Sequence, residues 1–367
     1  VAQKVLVISG VSMKEGGIRT VLTEALTALN TYAFDHNLKV YALVPDAQDY
    51  VFSHIECIGF PKAKKSWWNR IWIEYVVFKR LSQKIKPDFW LSLHDTTPNV
   101  ACPNRFMYAH HPTVVYQPKF SDWYFNYKIG VFALLYHWVY RWNIHKNKAV
   151  FVQQQSLYNY FKKRGVRKII RCPWQETRIP SFSSLRQKPD RKLLFYPLIP
   201  RSFKNVEILG EALQLLSPEE NAQLEIWLTF SKNENRYARY LAQKYPLNNL
   251  CFIGKLSREE VFAHYEIMDA LIFPSRLETW GLPISEAKAM QKPLWVADVP
   301  YAHETVGTYE NVVFFNPNNP QQLADTLRQW LQGKAVYTGN QAVQGEGLVL
   351  ENWTAMFDFI CSAHAKV

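Results

Sequence analysis

Short apolar runs recur along the chain, and each is followed by a longer stretch whose apolar positions fall three and four residues apart. The first run, 4–10, reads as a strand; after a loop with Gly16 and Gly17, Val21, Leu22, Ala25, Leu26 and Leu29 share one face of a helix over 18–29. Further strands are predicted at 38–44, 88–93, 105–109 and 148–152, with helical patterns between them. The alternation lapses between Cys172 and Lys192, where Pro173, Pro180, Ser181, Ser183, Ser184 and Pro189 accumulate. A second series then begins, with strands predicted at 192–196, 224–229, 250–253, 270–273 and 292–296. Amphipathic helices are predicted at 320–332 and 352–364, and a loop around His303 and Glu304. Strands and helices alternating twice predict an α/β protein with two doubly wound parallel sheets, divided near 1–180 and 190–349. Ligands in such sheets sit at the carboxyl ends of the strands.

The residues at those ends carry the candidate chemistry. After the run 270–273 the chain turns through Pro274 and Gly281 and enters a helix with Pro283 in its first turn. A strand, a tight loop and a helix N-terminus together offer unpaired backbone N–H groups and a positive dipole end to an anion, usually a phosphate. Glu278 and Glu286 flank this junction, an odd place for carboxylates unless they bind hydroxyls, as a sugar offers. Arg201 and Lys204 fall at the junction after the strand 192–196, where cations would reinforce a diphosphate site. Ser257 with Glu260 is a capping-box pattern for the next helix. In the first half, the Gly16–Gly17 loop opens a nucleotide-type unit without the full GxGxxG spacing. His94 with Asp95, and His110 with His111, follow two predicted strands and would face the crevice.

Composition narrows the partners. The 367 residues carry a net charge of +12, with five scattered cysteines and no CxxC pair. That count argues against a disulfide framework and a structural zinc site, and makes cytoplasm the expected compartment. No apolar run approaches about 20 residues, and the apolar start is too short for a signal-peptide core. Residues 1–185 hold 25 Lys+Arg against 11 Asp+Glu, so the whole positive excess lies in the first half. Two segments there mix basic and aromatic residues. Segment 61–80 carries Trp67, Trp68 and Trp72. Segment 119–148 carries Trp123, Tyr124, Phe125, Tyr127, Tyr136, Trp138, Tyr140 and Trp142, with Arg141, His145, Lys146 and Lys148 at its end. Three readings stay open: contact with an anionic membrane surface, ordinary core packing, and stacking on single-stranded nucleic acid.

The stretch Pro274-Ser-Arg-Leu-Glu278-Thr-Trp-Gly281-Leu-Pro283-Ile-Ser-Glu286-Ala-Lys-Ala-Met290 resembles the E-x7-E region of retaining glycosyltransferases of family GT4. The likeness spans roughly residues 193–331, including Phe203-Lys204-Asn205 and Lys292-Pro293-Leu294; in the first half it rests on the Gly16–Gly17 loop and His110. It implies a GT-B fold, two Rossmann-like domains facing a central cleft, with the terminal helix from about 350 packing back onto the first domain. It implies that Glu286 binds ribose hydroxyls and Glu278 the transferred sugar. Lys204, Arg201 and the backbone of Thr279, Trp280, Gly281 and Leu282 would hold the diphosphate, and Gly254, Lys255 and Leu256 would lie against the base. Gly17 would approach the diphosphate from the first domain, and His110 would sit beside sugar and acceptor. The implied activity is retaining transfer of a sugar from a nucleoside-diphosphate sugar to a lipid-linked or envelope glycan at the cytoplasmic membrane face. No cofactor and no metal are expected, since no DxD-type cluster accompanies the motif. Two positions depart from the family pattern: Thr279-Trp280 stands where Gly-Phe is usual, and Leu198 or Ile199 stands where an arginine is expected. A GT-B epimerase or phosphorylase, and a non-enzymatic nucleic-acid-binding module, are the alternative readings.

Overall fold

The structure is a computed structural model that describes residues 3–63, 65–173, 179–184, 188–343 and 345–362. Part of the Pro- and Ser-rich boundary expected between Cys172 and Lys192 therefore lies outside the described residues. The strands in chain order are β1 (Val5–Ser9), β2 (Lys39–Val44), β3 (Ile55–Gly59), β4 (Phe89–Ser92), β5 (Asn104–Ala109), β6 (Ala149–Val152) and β7 (Ile169–Arg171). They continue as β8 (Lys192–Tyr196), β9 (Leu224–Leu228), β10 (Leu250–Phe252), β11 (Ala270–Phe273), β12 (Leu294–Ala297), β13 (Val312–Phe315) and β14 (Leu348–Val349). Among the described residues they form two sheets, ordered β14-β7-β6-β5-β4-β1-β2-β3 and β10-β9-β8-β11-β12-β13. Every pairing between these strands is parallel.

Helices on both faces explain why the central strands are apolar throughout rather than alternating. Leu193, Leu194, Phe195 and Tyr196 of β8 are fully buried, as are Ala270 to Phe273 of β11. The chain divides into two compact units. The first comprises the described parts of Val1–Val115, Leu134–Gln175 and Gly345–Val367, the second those of Tyr116–Ala133 and Glu176–Gln344. The terminal helix Trp353–Ser362 lies in the first unit, where Tyr32 donates a hydrogen bond to Asp358 at 3.0 Å. The segment 116–133 belongs to the second unit, which differs from a boundary placed near residue 180. Within that segment the helix Phe120–Arg141 breaks at Asn126 (φ −152°, ψ 75°). Before the break, Phe125 packs on Tyr237 and Tyr240, with ring centroids 5.2 and 4.8 Å away.

In each unit the strand order reverses beside the first strand. β1 lies between β2 and β4, and β8 lies between β9 and β11. Loops leaving such neighbouring strands diverge and open a crevice at their carboxyl ends. The short strands β3, β7, β13 and β14 were not among the predicted ones, and His303 and Glu304 lie in the helix Pro300–Val306 rather than in a loop.

Candidate active site

In the second unit, the loops leaving β8 and β11 bring the sequence-predicted residues together. After β8 the chain forms a 3-10 turn, Ser202–Lys204, closed by Asn205 in the left-handed region (φ 58°). The Asn205 side chain donates to the Pro274 and Pro317 carbonyls at 3.3 and 2.9 Å, tying this turn to the loop after β11. Arg276 N–H donates to the Phe203 carbonyl at 2.8 Å, a second tie. Tyr196 hydroxyl donates to the Lys204 carbonyl at 3.0 Å. Thus Lys204 is fixed by its backbone, and its ammonium reaches Glu278, to which it donates a charge-assisted hydrogen bond. Their side chains are 14% and 16% exposed, so the pair is shielded yet open to a ligand. Arg201 caps the same turn and is exposed, with its carbonyl accepting from Lys204 N–H at 2.9 Å. Leu198, one of the two positions where an arginine is usual, is buried and exchanges hydrogen bonds with Thr229.

Gly281 lies in the left-handed region (φ 82°) and starts the helix Leu282–Ala289, with Pro283 in its first turn. A Cβ there would be 3.2 Å from Ile284 Cδ1, so both backbone and space favour glycine. Thr279 and Trp280 are absent from the residues with positive φ, so the turn needs a single glycine. The Trp280 side chain is buried, and its indole N–H donates to Ser285 Oγ at 3.0 Å. Thr305 hydroxyl donates to the Trp280 carbonyl. What this turn can offer a donor is its backbone and Thr279, which is half-buried.

Glu286, one turn along that helix, occupies a different environment. It is buried, accepts a hydrogen bond from Tyr265 hydroxyl at 2.9 Å, and lies 3.4 Å from Arg258 Nη1. Burial raises its pKa above the usual carboxylate range, and Arg258 and Tyr265 oppose the rise. Arg258 begins a helix whose N-terminus carries the predicted capping box: Ser257 Oγ accepts from Glu260 N–H and Ser257 N–H donates to Glu260. Just before it, Gly254 has φ 86°, Lys255 is exposed and Leu256 packs on the core. The E-x7-E pair is therefore two separate carboxylates, one tied to Lys204 and the other to Tyr265 and Arg258.

The first unit places its polar residues at the corresponding strand ends, but buries them. Ser9, at the end of β1, is 2.9 Å from His94 Nε2, and His94 Nδ1 is 2.9 Å from Thr96 Oγ1. Glu74, in a π-turn over Ile73–Val77, accepts from Arg70 Nε at 2.6 Å and from Thr96 at 2.5 Å. Asp95 holds a left-handed backbone (φ 69°) and accepts from the N–H groups of His110 and His111 at 2.5 and 2.9 Å and from Tyr140 hydroxyl at 2.8 Å. Burial lowers the His110 pKa to about 4, although Asp95 pulls it upward, so the imidazole is neutral at pH 7. Gly17 starts the helix Gly17–Asp35 and is exposed, with Gly16 at φ 66° before it. Sequence reasoning passed over Asp122, Ser202, Tyr265, Arg258 and Arg276. Arg258 and Arg276 lay beside recognised motifs; Asp122 and Ser202 had no local signal.

Comparison with known proteins now bears on this geometry. Residues 178–342 match the family model described as glycosyl transferases group 1. The match lies within the second compact unit and includes the E-x7-E stretch and the turn that carries Lys204. Over 165 residues, 44% of this chain and 20% of the relative, the sequence is 29% identical to the serotype-specific mannosyltransferase WbdA of Escherichia coli. The chain thus spans about a fifth of the length of the curated relatives it matches. Among solved structures, Anabaena HepE in complex with UDP-glucose covers 90% of both chains at 15% identity and a TM-score of 0.58. WaaG, a glycosyltransferase involved in lipopolysaccharide biosynthesis, covers 90% of this chain and 94% of its own at 15% identity and a TM-score of 0.61. At such identities the likeness establishes the fold, which is GT-B: two Rossmann-like α/β units.

Proposed function

We propose that this protein is a group 1 glycosyl transferase that moves a sugar, with retention of configuration, from a nucleoside-diphosphate sugar to a lipid-linked or cell-envelope glycan. The observation that carries the reading is the division of labour between the two glutamates. Glu286, buried against Tyr265 and Arg258, is shaped to accept paired hydroxyls such as those of a ribose. Glu278 sits against Lys204 at the turn, where a sugar hydroxyl and a phosphate oxygen would meet acceptor and cation together. HepE with UDP-glucose, WbdA and WaaG are consistent with this class of donor and acceptor.

Chemically, the departing diphosphate gains negative charge as the glycosidic bond breaks. Lys204, with Arg201 beside it and the N–H groups around Gly281 and Leu282, would stabilise that charge from fixed positions. The two acids have different partners and different tasks, so neither is assigned as a nucleophile. Front-face attack, in which a leaving phosphate oxygen assists the acceptor hydroxyl, accounts for retention without one. A neutral His110 can donate or accept a hydrogen bond to a sugar hydroxyl without adding positive charge. Charge neutralisation by Lys204 makes a metal ion unnecessary in this scheme. A thermal-shift panel of UDP, GDP, ADP and dTDP and their sugars tests the reading, since a nucleotide that binds the folded state raises Tm. No shift with any of them would overturn it.

The acceptor side rests on the first unit's surface. Trp68, Trp72, Leu134, Leu135, Trp138 and Trp142 are each more than half exposed. The two segments adjoin there, through Trp67 with Tyr136 and Tyr75 with Trp142. Arg141 lies over the Trp138 ring. Exposed indoles among cations suit the headgroup layer of an anionic bilayer, which supports a location at the inner face of the membrane. Not all of the segments serve this end: Tyr136 and Tyr140 are buried, and 119–133 packs within the second unit. Among the described residues no helix is long and apolar enough to cross a membrane. Cosedimentation with phosphatidylglycerol vesicles, lost when Trp68 and Trp138 become Ser, is the expected result; equal pelleting of both proteins would contradict it.

A further inference from the structure

Asp122 is 1% exposed, and among the described residues it is held by three neutral donors. Ser202 hydroxyl donates to its Oδ1 at 2.5 Å. Tyr116 hydroxyl and Lys119 backbone N–H donate to its Oδ2 at 2.7 and 2.8 Å. The carboxylate thus clamps the segment 116–122 onto the turn that ends in Lys204. A second clamp lies close by, where Lys119 Nζ donates to Asn318 at 2.7 Å, next to the Pro317 carbonyl that Asn205 holds. Burying a carboxylate is costly without such partners, so the three bonds hold segment and turn in one arrangement.

We infer that Asp122 is a positioning residue for the diphosphate of the donor: through Ser202 it fixes where Lys204 presents its ammonium. This rests on the reading of Lys204 given under Proposed function. Ser202 and Lys204 share a single 3-10 turn, so a rotation that frees Ser202 displaces Lys204. The remaining ties of the turn, from Tyr196, Arg276 and Asn205, come from the α/β unit itself. Asp122 alone among the partners described for this turn comes from the segment 116–133, so that segment gains a part in donor binding. Glu286 is held instead by Tyr265 and Arg258, so the proposed nucleoside end has its own partners.

The test compares nucleoside diphosphate with nucleoside monophosphate binding in wild type, Ser202→Ala, Asp122→Asn and the double variant, by calorimetry with UDP/UMP, GDP/GMP, ADP/AMP and dTDP/dTMP. Ser202→Ala removes one hydroxyl and keeps the buried carboxylate's other two donors, so it serves where Asp122→Asn fails to fold. Each single variant should weaken the diphosphate about tenfold, the effect of one lost charge-assisted hydrogen bond, and leave the monophosphate unchanged. The double variant should be no worse than the worse single one, because both remove the same bond. An unchanged ratio of diphosphate to monophosphate affinity in the variants, with wild type binding the diphosphate, overturns the inference alone. Wild type binding none of the diphosphates overturns the nucleotide reading and this inference with it.

Discussion

The two units build the same sheet reversal and end it with opposite electrostatics. Beyond β8 and β11, Lys204, Glu278 and Glu286 are partly shielded, each held by one or two partners, with Arg201 exposed nearby. Beyond β1 and β4, Glu74, His94, Asp95 and Thr96 are almost wholly buried and bonded mainly to one another and to Arg70, Ser9, Tyr140 and the 110–111 backbone. A site with unspent hydrogen-bonding capacity is prepared for a charged ligand. A closed network instead fixes the backbone that presents His110. On the proposed reading, the contrast separates binding by charge in the second unit from presentation by shape in the first.

Breaking the closed network should have the largest effect, and on stability. Glu74→Ala leaves Arg70 and His94 without their buried carboxylate, and a broken buried pair costs about 3–5 kcal/mol, so Tm should fall by many degrees. Nucleotide binding by whatever fraction stays folded should persist. Lys204→Ala should do the reverse: little loss of Tm, and a fall in kcat/KM of about 100–1,000-fold, as for removal of one preorganised donor to a developing anion. Equal losses of stability in both variants would erase the contrast.

Smaller effects sharpen it. Glu286→Ala should weaken nucleotide binding about 10–100-fold, the worth of hydrogen bonds to a charged group. Because burial raises the pKa of Glu286, lowering the pH should weaken nucleotide binding before an ordinary surface glutamate would protonate. The linkage to folding has the opposite sign. A carboxyl whose folded pKa is raised opposes folding when ionised, so Glu286→Gln should raise Tm slightly at pH 7–8, with the gain vanishing as pH falls into the ordinary carboxylate range. His110, lowered to about 4, should contribute no inflection to the pH–rate profile between about pH 6 and 7, where an unperturbed histidine titrates. Trp280→Phe removes one hydrogen bond to Ser285 and should cost about 0.5–1.5 kcal/mol of stability with little change in donor preference.

Much of this was legible because the patterns are local. Continuous apolar runs such as 193–196 and 270–273 mark strands covered on both faces, and Gly281-Leu-Pro283 marks a helix start. The strands missed were short or at sheet margins: β3 includes a glutamate, β7 has three residues and β14 two. Such pieces are completed by their neighbours rather than by their own periodicity. Glu278, Glu286 and Lys204 could be placed because each stands in the loop or the helix start that follows a recognisable strand. Asp122 could not, since its partner Ser202 is 80 residues away. Thr279-Trp280 departs from the family pattern, and the Trp280 ring is buried in the fold. Nothing in the sequence distinguishes an indole that faces a sugar from one that donates to Ser285. The segment 119–148, left open between surface contact and core packing, divides between the units after Ala133.

The central claim is that the second unit binds a nucleoside diphosphate through two separated handles. Calorimetric titration of UDP, GDP, ADP and dTDP into wild type, Lys204→Ala and Glu286→Ala tests it most directly. The account predicts that one diphosphate binds wild type, that Lys204→Ala loses its preference over the monophosphate, and that Glu286→Ala loses diphosphate and monophosphate alike. Equal affinity of that diphosphate for all three proteins, or for none of them, would contradict it.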